Sequence, residues 1–192
     1  MTLSACKAIV IGKTAAQVGF LTSLARKCGF AWIEEPGTGE IPSPKALISF
    51  VLVHHKVGDE LLGAVVRAIR SGDREVRFSP IVVIAEDGDF EVIVHFVHLG
   101  VDDVITLPEK RDVLVQRLSG QLWSEQLYVE TESYFGPDRR RLEGGAEMDE
   151  RRVGMAGHAR FIIQRIPDYG TKIVRHQIFT APQPASAVHR AG

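Results

Sequence analysis

Two clusters of side chains stand out for chemistry. The first is Tyr134-Phe135-Gly136-Pro137-Asp138-Arg139-Arg140-Arg141, two aromatics followed by a turn signal and three arginines. A guanidinium pairs bidentately with phosphate or a guanine edge, and an aromatic ring stacks on a base. Arg151 and Arg152 add a second basic pair. Acidic residues nearby nearly cancel these charges, so three readings stand. The segment is a solvated linker, a docking peptide anchored by Tyr134 and Phe135, or a nucleotide or nucleic-acid contact. The second cluster is His54-His55, with Lys13, Asp59, Glu86 and Asp87 as neighbours in reach. Metal ligation needs donors converging from several loops. Adjacent residues at a strand end point to opposite sides. Ordinary hydrogen-bonded histidines are therefore expected, with no metal. His95 and His98 share a helix face, and pH sensing is the lesser reading of that pair.

The elements that must position these groups are legible as periodic runs. Lys7 to Ile11 is a nearly continuous apolar run, the pattern of a strand buried on both faces. Thr14 is placed to cap a helix that ends at Gly29. Further strands are expected at Ala31–Ile33, Leu47–Val53, Pro80–Ile84 and Val104–Thr106. Helices are expected at Gly58–Ser71, Asp89–Leu99 and Arg111 to about Tyr128. Strands alternating with helices imply right-handed βαβ units and a parallel sheet covered on both faces. Five strands suit a flavodoxin-like doubly wound order, 2-1-3-4-5, with chemistry at the carboxyl ends of the strands.

Two stretches break the pattern. Pro36 to Pro44 is rich in proline and glycine, so the helix between the second and third strands is expected to be lost. The consequence is either a harmless loop or an uncovered apolar groove, filled by the chain's own tail or by a partner. Residues 129–157 are polar and rich in arginine, read as a linker between a domain at 1–128 and a tail at 158–192. In that tail, Phe161–Ile166 and Ile173–Phe179 flank Pro167-Asp168-Tyr169-Gly170, which predicts a β-hairpin before a frayed end. A lone hairpin is marginal in water and needs a surface to cover.

Composition bounds the rest. The chain has 192 residues, 45% hydrophobic and 24% charged, with a formal net charge of -1. That balance gives no global basic signature for nucleic acid or an anionic membrane, and no helix-turn-helix pattern supports DNA binding. No apolar run is long enough to span a bilayer. Cys6 and Cys28 have no metal-ligand spacing and read as reduced thiols. The opening residues lack the pattern of a signal peptide, so a cytoplasmic protein is expected.

Gly100-Val101-Asp102-Asp103-Val104-Ile105-Thr106-Leu107-Pro108 resembles the G-A-D-D-Y-[IL]-T-K-P segment of bacterial response-regulator receiver domains. Pro80-Ile81-Val82-Val83-Ile84-Ala85-Glu86-Asp87-Gly88-Asp89 resembles their P-I-I-x-L-T-A-x-G-D segment. The resemblance implies a site with an acidic pair holding Mg²⁺, an aspartate phosphoacceptor, a hydroxyl and a lysine. Those positions fall here on Gly12 and Lys13, on His54, on Ala85 and on Leu107. The aromatic switch position falls on Val104. The resemblance thus implies a degenerate pseudo-receiver, without catalytic residues or cofactor. Lys13 is expected to replace the metal's charge by pairing with Glu86 or Asp87.

The expected function is a phosphorylation-independent signalling adaptor. It acts through a signalling protein partner or through self-association. The surfaces in view are the apolar ones, including the helix at Asp89–Leu99 with the last strand and helix. The alternative is an effector that binds a nucleotide, for example cyclic di-GMP, through Tyr134, Phe135, Asp138, Arg139, Arg140 and Arg141.

Overall fold

The apolar runs form one sheet. β1 (Lys7–Ile11), β2 (Trp32–Glu34), β3 (Ser49–His54), β4 (Ile81–Ala85) and β5 (Asp103–Thr106) pair in parallel, in the order β2-β1-β3-β4-β5. A computed structural model describes residues 3–36, 48–86, 90–139 and 157–180. β3 and β4 are buried at every position, which their unbroken apolar sequences permit. Helices α1 (Ala15–Cys28), α2 (Asp59–Arg70), α3 (Phe90–His98) and α4 (Arg111–Ser119) cover both faces. Leu21, Ala25, Leu114 and Leu118 pack with Phe50, Leu52, Val82 and Ile84. Leu62, Val65, Ile69 and Phe96 pack with Val51, Val53, Ile81 and Val83 on the other side. This is the expected flavodoxin-like doubly wound arrangement.

Local signals set the boundaries of α1. Thr14 Oγ1 accepts the Gln17 amide at 3.3 Å. Gly29, at φ 98°, donates its N–H to the Ala25 and Arg26 carbonyls. That left-handed closure suits a residue without a Cβ. Most of the proline-rich segment, 37–47, lies outside the described residues, so the expected loss of a helix there has no structural answer.

The chain departs from expectation after α4. The helix expected to reach Tyr128 ends at Ser119, and Glu125–Glu130 is a strand, β6. Trp123, at φ 64°, sits in the turn between them. Leu127, Tyr128 and Val129 are a short run of apolar, aromatic and β-branched residues that favours a strand over helical continuation. β7 (Phe135–Pro137), β8 (His158–Ile166) and β9 (Gly170–Phe179) complete an antiparallel sheet in the order β7-β6-β8-β9. The expected hairpin is therefore present but is half of a larger sheet. The stretch expected as a polar linker opens with strand residues instead. Residues 140–156 and 181–192 lie outside the described residues.

The second sheet buries one face against the amino ends of β4 and β5. Tyr128, Phe161 and Ile163 form a small core with Phe78, which precedes β4. The hairpin does not fill a groove beside β2, since β2 lies at the other edge of the parallel sheet. Asp102, just before β5, holds the junction together. Its Oδ2 accepts from Arg70 Nη2 at 2.6 Å and from the Ile81 amide at 2.8 Å. Its Oδ1 accepts from Arg165 Nη2 at 2.8 Å and from the Tyr128 hydroxyl. Arg165 is fully buried, and it also donates to the Phe78 carbonyl at 2.8 Å and to Gln121 Oε1 at 3.1 Å.

A carboxylate buried between two guanidiniums dictates a pH response. Burial alone would raise the Asp102 pKa. Arg70, then Arg165, and the Tyr128 hydroxyl outweigh burial and hold it below the usual carboxylate range. The stability it contributes is present above the unfolded carboxylate pKa, about 3.9, and drains as pH falls through the lower folded value. Asp102→Asn is expected to cost about 3–5 kcal/mol in urea unfolding near neutral pH, because it leaves buried guanidiniums uncompensated. It should also flatten the acid limb of the stability profile. An unchanged urea midpoint would remove Asp102 from this role.

Candidate functional site

The carboxyl ends of the parallel strands converge on one rim, because the strands pair in register there. Ile11 lies opposite Val53, His54 opposite Ile84, and Ala85 opposite Thr106. Gly12 and Lys13 follow β1, His54 ends β3, Ala85 ends β4 and Leu107 follows β5. The five positions expected from the sequence therefore do share one rim. Their side chains carry no carboxylate and no hydroxyl. Gly12 is held close against α1, where an added Cβ would lie 2.8 Å from Gln17 Cβ. Ala85 is fully buried, and Leu107 packs against the core. Val104 is also buried.

His54, His55, Lys56 and Glu86 form the polar part of this rim. One ligand atom each from His54, His55 and Glu86 lies within 4.8 Å of the others. The expectation that adjacent histidines diverge is corrected here. β3 ends at His54 and a tight 3-10 turn begins at His55, so strand alternation stops between them. The two rings lie 5.0 Å apart between centroids. The hydrogen bonding nevertheless opposes a metal. His54 Nδ1 accepts the Lys56 amide at 3.2 Å. That bond fixes the tautomer with the proton on Nε2, leaving neither nitrogen a ready donor pair. Glu86 is bonded to the Lys56 ammonium, so a cation already stands beside the carboxylate.

The ammonium on Glu86 was expected from Lys13 and comes from Lys56. Lys13 sits across the rim, its Nζ directed toward Gly58 at the start of α2. Lys56 wins because it sits in the turn after β3, facing Glu86 just after β4. Asp87 lies outside the described residues. His95 pairs with Asp59 of α2 at 3.0 Å rather than acting with His98. Both cysteines are free and buried, and burial first, then Asp168, pushes the Cys6 thiol up to about 12. Neither is positioned as a reactive thiolate.

The described part of the arginine-bearing segment, Tyr134 to Arg139, is strand and turn, not solvated linker. Phe135 packs with Phe78, Tyr128 and Phe161, which takes it out of use as a free docking anchor. Tyr134 donates its hydroxyl to the Pro137 carbonyl at 2.7 Å and folds over Gly136. The Arg139 guanidinium lies over the Tyr134 ring, 3.6 Å from its centroid. Asp138 donates its amide to the Leu127 carbonyl at 2.9 Å. Arg140 and Arg141 lie outside the described residues. The missed residues are Arg70, Arg77 and Arg165. Arg165 carried a signal, since alternation along β8 places it on the face of Phe161 and Ile163.

No family model matches the chain, and no curated protein matches it. Among solved structures, a response regulator from Thermotoga maritima is 20% identical, with a TM-score of 0.43, covering 59% of this chain and 94% of its own. The signal receiver domain of a signal transduction histidine kinase from Syntrophus aciditrophicus is 18% identical, with a TM-score of 0.40, covering 75% of this chain and 94% of its own. The fold assignment stands on the strand order and register described above.

The rim makes a pH prediction. Burial first, then His55 and Lys56, lower the His54 pKa below the ordinary imidazole value, while Glu86 pulls the other way. A group whose charged form is disfavoured in the fold binds fewer protons there than when unfolded. Stability should therefore fall as pH drops below about 6.5, the unfolded value. NMR titration of the His54 ring should give a midpoint below that value. Lys56→Gln should raise the midpoint and Glu86→Gln should lower it; shifts of opposite sign would disprove this electrostatic account.

Proposed function

We propose that this chain is a non-enzymatic signalling adaptor that works without phosphotransfer, through protein–protein interaction. One observation carries the reading. Where the resemblance to receivers calls for metal-binding carboxylates, an acceptor carboxylate, a hydroxyl and an ammonium, the rim presents Gly12, Lys13, His54, Ala85 and Leu107. Phosphoryl transfer needs a nucleophile in line with the donor and positive charge on the developing anion. His54 is buried and holds the Lys56 amide, and the Lys56 ammonium is engaged by Glu86. The hydrophobic framework that positions the rim is kept while its chemistry is replaced.

A second sheet added to the scaffold supports a role in contact rather than catalysis. Among the described strands β9 lies at the edge, with exposed apolar side chains including Val174, Ile178 and Phe179. Unpaired strand edges accept another strand, and apolar side chains supply the affinity. We place the protein in the cytoplasm as a soluble adaptor; no helix among the described residues is long and apolar enough to cross a membrane.

Incubation of the full chain with acetyl phosphate and Mg²⁺ tests this reading. Intact-mass measurement should show no phosphoryl adduct. A stable adduct mapped to any rim residue would overturn it. The repair variant His54→Asp should also remain unmodified, because Gly12 and Lys13 still supply no metal ligand.

A further inference from the structure

The junction between the two sheets carries a groove that the adaptor reading leaves unused. It has a volume of about 730 Å³ and runs between the carboxyl end of α2 and the turn joining β6 to β7. That size is in the range of small-molecule sites, roughly 300–1,000 Å³. Its charged lining is Arg67, Arg70, Arg77, Arg139, Glu130 and Glu132. Four guanidiniums face two carboxylates. Arg70 is committed to Asp102, and Arg77 pairs with Glu130 at 2.6 Å. Arg67 and Arg139 have no ion-pair partner among the described residues.

The decisive feature is what these arginines lack. The Nε atoms of Arg70, Arg77 and Arg139 are buried and have no hydrogen-bond acceptor among the described residues. Among the described residues, the three arginines with an unbonded buried Nε all belong to the lining of this groove, the Nε atoms themselves lying covered behind it. The Arg70 side chain is only 4% exposed, so water does not readily serve it. Buried donors ordinarily find acceptors, and an unbonded one calls for an explanation, such as an ordered water or an ion. The side chains are also held in place. Arg77 lies over Phe135 and Arg139 over Tyr134, each 3.6 Å from the ring centroid. A guanidinium stacked on a ring presents its N–H groups at the edge, in a fixed plane that matches phosphate oxygens.

We propose that this groove binds a phosphate-bearing small molecule of nucleotide size, with Arg77 and Arg139 as the stacked forks and Arg67 adding charge. A single carboxylate satisfies one fork, whereas a diphosphate offers enough oxygens to engage guanidiniums from α2, from the loop before β4 and from the end of β7. Bound there, the ligand bridges the α/β body and the second sheet. Occupancy thus stiffens the joint between them.

Arginine side-chain Nε–H resonances of the full chain test the proposal directly. Titration with inorganic pyrophosphate, and separately with guanosine diphosphate, should shift the Arg77 and Arg139 signals. The Arg165 signal, whose Nε donates to the Phe78 carbonyl at 2.8 Å, should stay fixed. Arg77→Lys and Arg139→Lys keep the positive charge but remove the fork, and each should weaken binding about tenfold or more. Tighter binding of guanosine diphosphate than pyrophosphate assigns a nucleotide, and the reverse assigns a free polyphosphate; both support the site. Absence of shifts at millimolar pyrophosphate overturns it, as does equal binding by the lysine variants. Signals already in the hydrogen-bonded range that ignore pyrophosphate would assign the acceptors to the chain's own carboxylates, and overturn it too.

Discussion

One buried carboxylate decides how the two sheets of this molecule meet. Asp102 lies before β5, where an αβ connection normally turns in solvent. Here it is desolvated and must be compensated. Arg70 arrives from α2 and Arg165 from β8, residues separated from each other by about half of the chain. Two guanidiniums against one carboxylate leave a surplus buried charge. Backbone carbonyls of Arg77, Ser79 and Phe78 spread that surplus by accepting further N–H groups, though not the Arg70 Nε–H. Such a network is costly to desolvate and demands near-complete hydrogen bonding. It therefore fixes geometry more than it adds stability, and only one docking of the second sheet satisfies it.

This constraint explains why the added sheet sits where it does. The apolar surface available at the amino ends of β4 and β5 is small, a cluster around Phe78. By itself that cluster would hold the sheet loosely. The aromatic rings of Phe78, Tyr128, Phe135 and Phe161 pack edge-on around the ion pairs and keep water out. Exclusion of water strengthens the charge interactions, and the charge interactions fix the register of the rings. The carboxyl rim lies at the opposite ends of the strands, so the second sheet and the rim are spatially separate.

Most of the first sheet was legible because its strands are buried on both faces and read as unbroken apolar runs. Phe50 to Val53 and Ile81 to Ile84 admit no other environment. The strand ends were legible for the same reason, which placed Gly12, His54, Ala85 and Leu107 on one rim. The second sheet was harder. Leu127-Tyr128-Val129 follows a helix closely and was absorbed into its periodicity. Phe135 stood beside arginines and looked like a solvent-facing anchor, although its place is in the core. The pairing of Glu86 with Lys56 rather than Lys13 depends on a turn after β3 that no periodicity announces. Long-range ion pairs such as Arg165 with Asp102 leave only an indirect trace, a charged residue at an inward position of an alternating strand.

Helix α2 runs from the rim to the Asp102 network. Gly58 starts it beside Lys13 at the rim, and Arg70 ends it in the Asp102 network. Twelve residues at about 1.5 Å each give a rigid rod of roughly 18 Å. A rod of this kind transmits movement only if one of its ends has two stable arrangements. Arg70 has one: its two terminal nitrogens are engaged by Arg77, Ser79, Gly100 and Asp102. At the other end, the rim residues nearest its start are Gly12, Lys13 and the His54–Glu86 cluster. The turn between β6 and β7 is less constrained: there Tyr134 and Arg139 rest on each other, and only one wall of the groove belongs to the α/β body.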